Sequence, residues 1–123
     1  MTQADDPLDS GALTVTVERQ DDRVTVVVVA GEVDAASVQS LRNGIDTLHT
    51  TYLVLDLTQV RFMDSSGLAA LVAVRRRLQS LGGSVVVVCG EGVVQRVLKL
   101  TGLDKVLTIF PTREEALAGE LAG

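Results

Sequence analysis

The chain has 123 residues, 46% hydrophobic and 22% charged, and its 11 basic and 16 acidic side chains leave a net charge of −5. That is one globular domain with a core of its own, and it is not the composition of a disordered chain. The acidic balance disfavours non-specific nucleic-acid binding, which needs Lys and Arg to neutralise phosphates. Only Tyr52, Phe62 and Phe110 are aromatic, too few for a platform that stacks single-stranded bases.

One cysteine, Cys89, excludes an internal disulfide, and one histidine, His49, cannot complete a His/Cys zinc cluster. No metal or cofactor site is expected. No apolar run approaches the roughly 20 residues of a membrane-spanning helix. The opening MTQADDPLDSGAL has no basic region followed by an apolar stretch, so it is not a signal peptide. A cytoplasmic protein is the expectation.

In chain order, residues 1–11 are polar and acidic and read as a frayed tail, leaving a domain over 12–123. Leu13, Val15 and Val17 alternate with polar neighbours, as in a half-buried strand. After the turn at Gln20-Asp21-Asp22, the β-branched run from Val24 to Ala30 suits a strand buried on both faces. The short connection makes these two an antiparallel hairpin.

The period then changes. Val38, Leu41, Ile45 and Leu48 have helical spacing, predicting a helix over 35–48 with Asp34 as N-cap. Tyr52 to Leu57 is the next strand. Leu68, Leu71, Val72 and Leu78 mark a second helix, stopped near Leu81 by Gly82-Gly83. Val85 to Cys89 is a strand, Val93 to Leu100 a short helix closed by Gly102, and Val106 to Phe110 a last strand. Thr112 and Glu115 form a capping box that opens a terminal helix. The order β-β-α-β-α-β-α-β-α predicts an α/β fold, a mixed sheet with helices packed against it.

In such sheets, sites gather beyond the C-terminal ends of strands, where helix N-termini point. Three junctions qualify: Gly31-Glu32-Val33-Asp34, the stretch from Asp56 to Gly67, and Gly90-Glu91-Gly92. Several enzyme motifs fail there. A G-x-S-x-G elbow needs Gly two residues before the serine, where Met63 precedes Ser65 and Asp64 precedes Ser66. A catalytic triad needs a nearby histidine, but His49 precedes the third strand and Ser65 follows it, so His49 reads as a helix C-terminal residue favoured by the dipole. No P-loop is present, and Gly90-Glu91-Gly92 lacks the third glycine of a dinucleotide fingerprint because position 95 is Gln. Asp56 sits where phospho-receiver domains place their acceptor. The acidic pair those domains need after their first strand is not seen in that context, Asp21 and Asp22 occupying a hairpin turn instead, so Asp56 reads as strand-end solvation or capping, with a phospho-acceptor aspartate the weaker alternative. The triplet Arg75-Arg76-Arg77 spreads around its helix and reads as a solvated face. Cys89 reads as buried and inert.

The junction at Ser65 remains. A serine or aspartate there can cap orphan helix N–H groups, the commoner role of such residues. A phosphate on Ser65 would add roughly −1.5 to −2 charge, which a helix N-terminus tolerates. It would change what docks there without unfolding the domain.

The stretch Asp56-Leu57-Thr58-x-Val60-x-Phe62-Met63-Asp64-Ser65-Ser66-Gly67-Leu68 resembles the signature of STAS domains, in particular bacterial anti-sigma factor antagonists. Gly31-Glu32-Val33-Asp34 and Gly102-Leu103-Asp104 fit the same family, and the resemblance runs from about Leu13 onward. It implies a non-enzymatic regulator. In its unphosphorylated form, such a protein binds an anti-sigma factor that is a serine kinase with a histidine-kinase-like ATPase fold, freeing the sigma factor. The kinase phosphorylates the serine after the motif's Asp, here Ser65, with Ser66 the runner-up. A PP2C-type phosphatase restores the unmodified form. Asp64 would shape the local hydrogen bonds and the kinase's approach, Ser66 and Gly67 would support the helix start, and Asp34 would join the partner surface. Thr58 departs from the family's frequent Ser but keeps the hydroxyl. Around this site Val33, Met63 and Leu68 would form a flat contact patch, a core position being the alternative for each and the favoured one for Leu68. The rival reading within the fold is a non-switching STAS scaffold, a subunit of a larger signalling or lipid-trafficking assembly.

Overall fold

A computed structural model describes residues 13–122; the tail read over 1–11 lies outside the described residues. The strands are β1 (Leu13–Arg19), β2 (Val24–Val33), β3 (Tyr52–Met63), β4 (Ser84–Val88) and β5 (Thr108–Phe110). The helices are α1 (Val38–Asp46), α2 (Ser65–Ser80), α3 (Val93–Thr101) and α4 (Arg113–Ala122), with a 3-10 turn at Leu103–Lys105. The sheet order is β1-β2-β3-β4-β5. β1 and β2 pair antiparallel, and the other neighbours pair parallel. The element order is the expected one.

Chirality decides where the helices lie. Each parallel crossover moves one strand further in the same direction, and right-handed connections then place α1, α2 and α3 on one face. Their Leu41, Ile45, Leu71, Val74, Leu78 and Leu98 pack there on Val27, Val29, Leu53, Leu55 and Val87. α4 follows the last strand and makes no crossover, so it is free to take the other face. There Ala116 and Leu117 pack on Val24, Val26, Tyr52, Val54, Val86 and Val88. With both faces covered along their middle, β2 to β4 read as continuous apolar runs, as parallel strands do.

The longest strands outrun expectation. β2 continues through Gly31 to Val33, and β3 through Thr58 and Gln59 to Met63. Register shifts between Val28 and Ala30 and between Gly31 and Glu32 absorb the irregular, polar part of the run while pairing resumes at Glu32↔Phe62 and Val33↔Met63. α1 starts late, at Val38, with Ser37 in the N-cap position. Asp34 therefore caps the preceding turn instead of the helix: its Oδ1 accepts from the backbone N–H of Ala36 and of Ser37, each at 3.0 Å. α2 starts early, at Ser65. β5 is shorter than expected because Val106 and Leu107 close the 3-10 turn, their N–H groups donating to the Leu103 carbonyl instead of to the sheet. At α4, Thr112 Oγ1 accepts from the Glu115 N–H at 3.1 Å, one half of the expected capping box.

Asp56 has a structural task. Only 6% exposed, its carboxylate accepts from Thr58 N–H (3.0 Å), Thr58 Oγ1 (2.7 Å) and Arg113 (3.2 Å). Arg113 also donates to Glu18 at 2.8 Å. Burial opposes the Arg113 charge, but its hydrogen bonds and attraction to Asp56 and Glu18 outweigh this and raise its pKa. The pair anchors α4 to the centre of the sheet, with Tyr52 Oη donating to the Ala116 carbonyl at 2.7 Å as a second tie. Arg113→Ala strands the buried Asp56 carboxylate and should destabilise the fold by about 1–3 kcal/mol, because the lost partner is itself partly solvated. Urea unfolding of the variant measures this.

Candidate functional site

The site forms where β2 and β3 end side by side. Asp64 N–H donates to the Val33 carbonyl at 3.1 Å, tying the two strand ends together. Asp64 is extended (φ −106°, ψ −167°) and caps α2. Its Oδ1 accepts from Ser66 N–H at 2.8 Å and, more weakly, from Gly67 N–H at 3.4 Å. Asp64→Ala removes both bonds and should cost about 0.5–2 kcal/mol of stability, read as a lowered thermal midpoint.

With Asp64 as the cap, Ser65 is released from that task. It is the first residue of α2 and exposed, and its hydroxyl makes no hydrogen bond among the described residues. Ser66 is half-buried and Gly67 buried. A Cβ on Gly67 would lie 2.7 Å from Met63 Cγ and 2.8 Å from Val33 Cγ1, so glycine is what lets α2 begin directly on the strand ends. Val33 (0% exposed) and Met63 (4%) are core residues. The flat patch expected from their side chains is therefore absent: they shape the site from beneath, as the seat of Gly67. Leu68 is half-buried and packs on the same core.

Asp34 stands beside this start, half-buried. Ser37 holds its turn in place: Ser37 Oγ donates to the Glu32 carbonyl at 2.7 Å and accepts from Asp34 N–H at 3.0 Å. Ser37 is 2% exposed and was not singled out from the sequence, where nothing distinguishes it from a surface serine. The structure thus brings Asp34, Asp64, Ser65, Ser66 and Gly67 to one corner.

The other candidates lie elsewhere. Asp56 has its oxygens engaged as described. Asp21 accepts from the N–H groups of Arg23 and Val24, each at 2.8 Å, and these bonds lower its pKa. It therefore shapes the hairpin turn and is no part of a receiver site. His49 is exposed and lies three residues beyond the end of α1, outside its last turn. The twelve residues of β3 separate it from Ser65, roughly 40 Å of extended chain. Arg77 departs from the solvated reading: it reaches the C-terminal end of α1 and donates to the Asp46 carbonyl at 2.8 Å. At the third junction, a cleft of about 280 Å³ lies between β3 and the start of α3. Cys89 lines it, 4% exposed, and burial pushes its thiol pKa up, which fits an inert cysteine. Among the described residues, no helix is long and apolar enough to cross a membrane.

The STAS domain family matches residues 15–116. The anti-sigma-F factor antagonist RsfB of Mycobacterium tuberculosis is 35% identical over 117 residues, covering 91% of this chain and 93% of that protein. The crystal structure of an anti-sigma factor antagonist from Mycobacterium paratuberculosis superposes with a TM-score of 0.81 at 34% identity, over 89% of this chain and 95% of that one. The Bacillus cell fate determinant SpoIIAA in its phosphorylated form shares the fold, with a TM-score of 0.67 at 24% identity over 85% of this chain and 97% of that one. The α/β architecture, the Asp64–Gly67 helix start and these likenesses converge: the chain belongs to the STAS-domain family of anti-sigma factor antagonists, which are regulators and not enzymes.

Proposed function

We propose that the protein binds an anti-sigma factor through the corner of Asp34, Asp64, Ser65, Ser66 and Gly67 while Ser65 is unmodified, and lets go when Ser65 carries a phosphate. The observation that carries this is the division of labour at the start of α2. Asp64 supplies the cap, and Ser65 presents an exposed hydroxyl, unbonded among the described residues, at the first helical position. A phosphate there gains from the positive end of the helix dipole and displaces no hydrogen bond. The fold tolerates the modification, so its effect falls on the partner. A new charge of roughly −2 beside Asp64 and Asp34 changes what that surface can accept.

The partner is then an anti-sigma factor with serine kinase activity, and a PP2C-type phosphatase reverses the mark. The homologue known in a phosphorylated form supports the reading. Ser66 is the weaker acceptor because it is half-buried. Phosphate mapping by fragment-ion mass spectrometry, after incubation with ATP and the kinase, should find phosphoserine at 65. An adduct labile to hydroxylamine would point to an aspartyl phosphate and sink the proposal.

A further inference from the structure

We propose that Phe62 is an apolar anchor of the same partner surface, and that the partner meets it with an apolar pocket rimmed by basic side chains; this rests on the reading of Ser65 above. Of the three aromatic residues, Tyr52 is 8% exposed and Phe110 packs on the α4-side core, whereas Phe62 is 46% exposed and belongs to neither core cluster. Side chains alternate along a strand. Met63 is buried beneath α2, so Phe62 points to the opposite face of the sheet, the α4 side. The α4-side core gathers around Tyr52, Val54, Val86 and Val88 and does not extend to Phe62.

The patch is continuous with the site. Phe62 stands opposite Glu32 in the parallel register, and the next pair, Val33↔Met63, leads into Asp34 and Asp64. Glu32 and Arg61 approach only to 4.0 Å, with side chains 46% and 71% exposed, a weak surface pair that leaves Glu32 available. Glu32 thus stands across from the exposed ring, Asp34 and Asp64 follow one position beyond the Val33↔Met63 pair, and Arg61 is the nearby cation. A second copy of this chain would set those acids against their own kind, in a protein of net charge −5. A partner with a basic rim is favoured on the same ground. Exposed aromatic side chains that become buried on docking are typical sources of binding energy.

The test uses the purified anti-sigma factor kinase recovered on the Ser65→Ala protein. Phe62→Ala should weaken its binding at least tenfold and raise the KM for phosphorylation while kcat holds. Glu32→Lys should weaken binding severalfold at low salt and less at high salt. Phe62→p-benzoylphenylalanine keeps the ring and should photo-crosslink to the kinase, which covers the case in which the alanine variant folds poorly. Binding by Phe62→Ala equal to wild type, with Ser65→Asp still defective, overturns the anchor and leaves the Ser65 reading standing. Absence of the crosslink overturns it too, as does a Phe62-dependent dimer of the protein alone in sedimentation. If no kinase is recovered on the Ser65→Ala protein, the anchor and the Ser65 reading fall together.

Discussion

Ser65→Asp is expected to weaken anti-sigma factor binding by more than tenfold, and Ser65→Ala to bind constitutively. Ser65 is exposed, and its hydroxyl is unbonded among the described residues, so neither change disturbs the capping of α2. The two variants should therefore unfold at nearly the same temperature as wild type, which separates a docking effect from a folding one. Tenfold corresponds to about 1.4 kcal/mol, a modest demand on one charge introduced beside Asp34 and Asp64. An uncompensated charge desolvated in an interface commonly costs more. Calorimetric titration of the purified partner reads the ratio directly. Equal affinities for the two variants would return Ser65 to a merely structural position and favour a non-switching scaffold.

Gly67→Ala carries the second large effect, and it sets two terms against each other. Replacing a helical glycine with alanine gains up to about 1 kcal/mol in propensity. Against that, the new methyl would meet Met63 Cγ at 2.7 Å and Val33 Cγ1 at 2.8 Å. Neither neighbour yields easily. Val33 is β-branched and fully buried, and the Met63 atom is near its backbone in a side chain only 4% exposed. Overpacking of this kind costs about 1–3 kcal/mol, so a net loss of stability is expected despite the gain in propensity. Because the strain falls at the junction of strand end and helix start, binding should weaken as well. Chemical denaturation and titration of the same preparation check both. A variant more stable than wild type with full binding would show that the seat is looser than the contacts indicate.

Most of the architecture was readable from particular residues. The β-branched runs beginning at Val24 and Val85, with the strand from Tyr52 between them, mark buried parallel strands. The helical spacing of Val38, Leu41 and Ile45 marks the first crossover. Chain order then settles which face three of the helices occupy. The strand ends were not readable, because Gly31 and the Thr58-Gln59 pair look like loop. Only the bulged register shows that pairing resumes at Glu32 and Phe62. The same bulge hides the exposure of Phe62 from the sequence: once a bulge intervenes, the face a strand residue takes cannot be counted from the start of the strand.

The site was readable as a location but not as a division of roles. Asp64 and Ser65 are both good capping residues, and sequence cannot choose between them. The extended backbone at Asp64, with its carboxylate turned onto Ser66 and Gly67, makes the choice. Val33 and Met63 look equally suited to a surface patch or a core in such a short motif. Their burial follows from α2 landing directly on the strand ends through Gly67. Arg77 needed the position of α1, a neighbour 31 residues away in the chain, before it could be told from Arg75 and Arg76.

The most direct measurement is the affinity of one anti-sigma factor preparation for unmodified protein and for protein carrying a mapped, single phosphate on Ser65. The expected result is binding by the unmodified form, a loss of more than tenfold on phosphorylation, and recovery after treatment with a PP2C-type phosphatase. Equal affinity of the two forms would contradict the switch at Ser65.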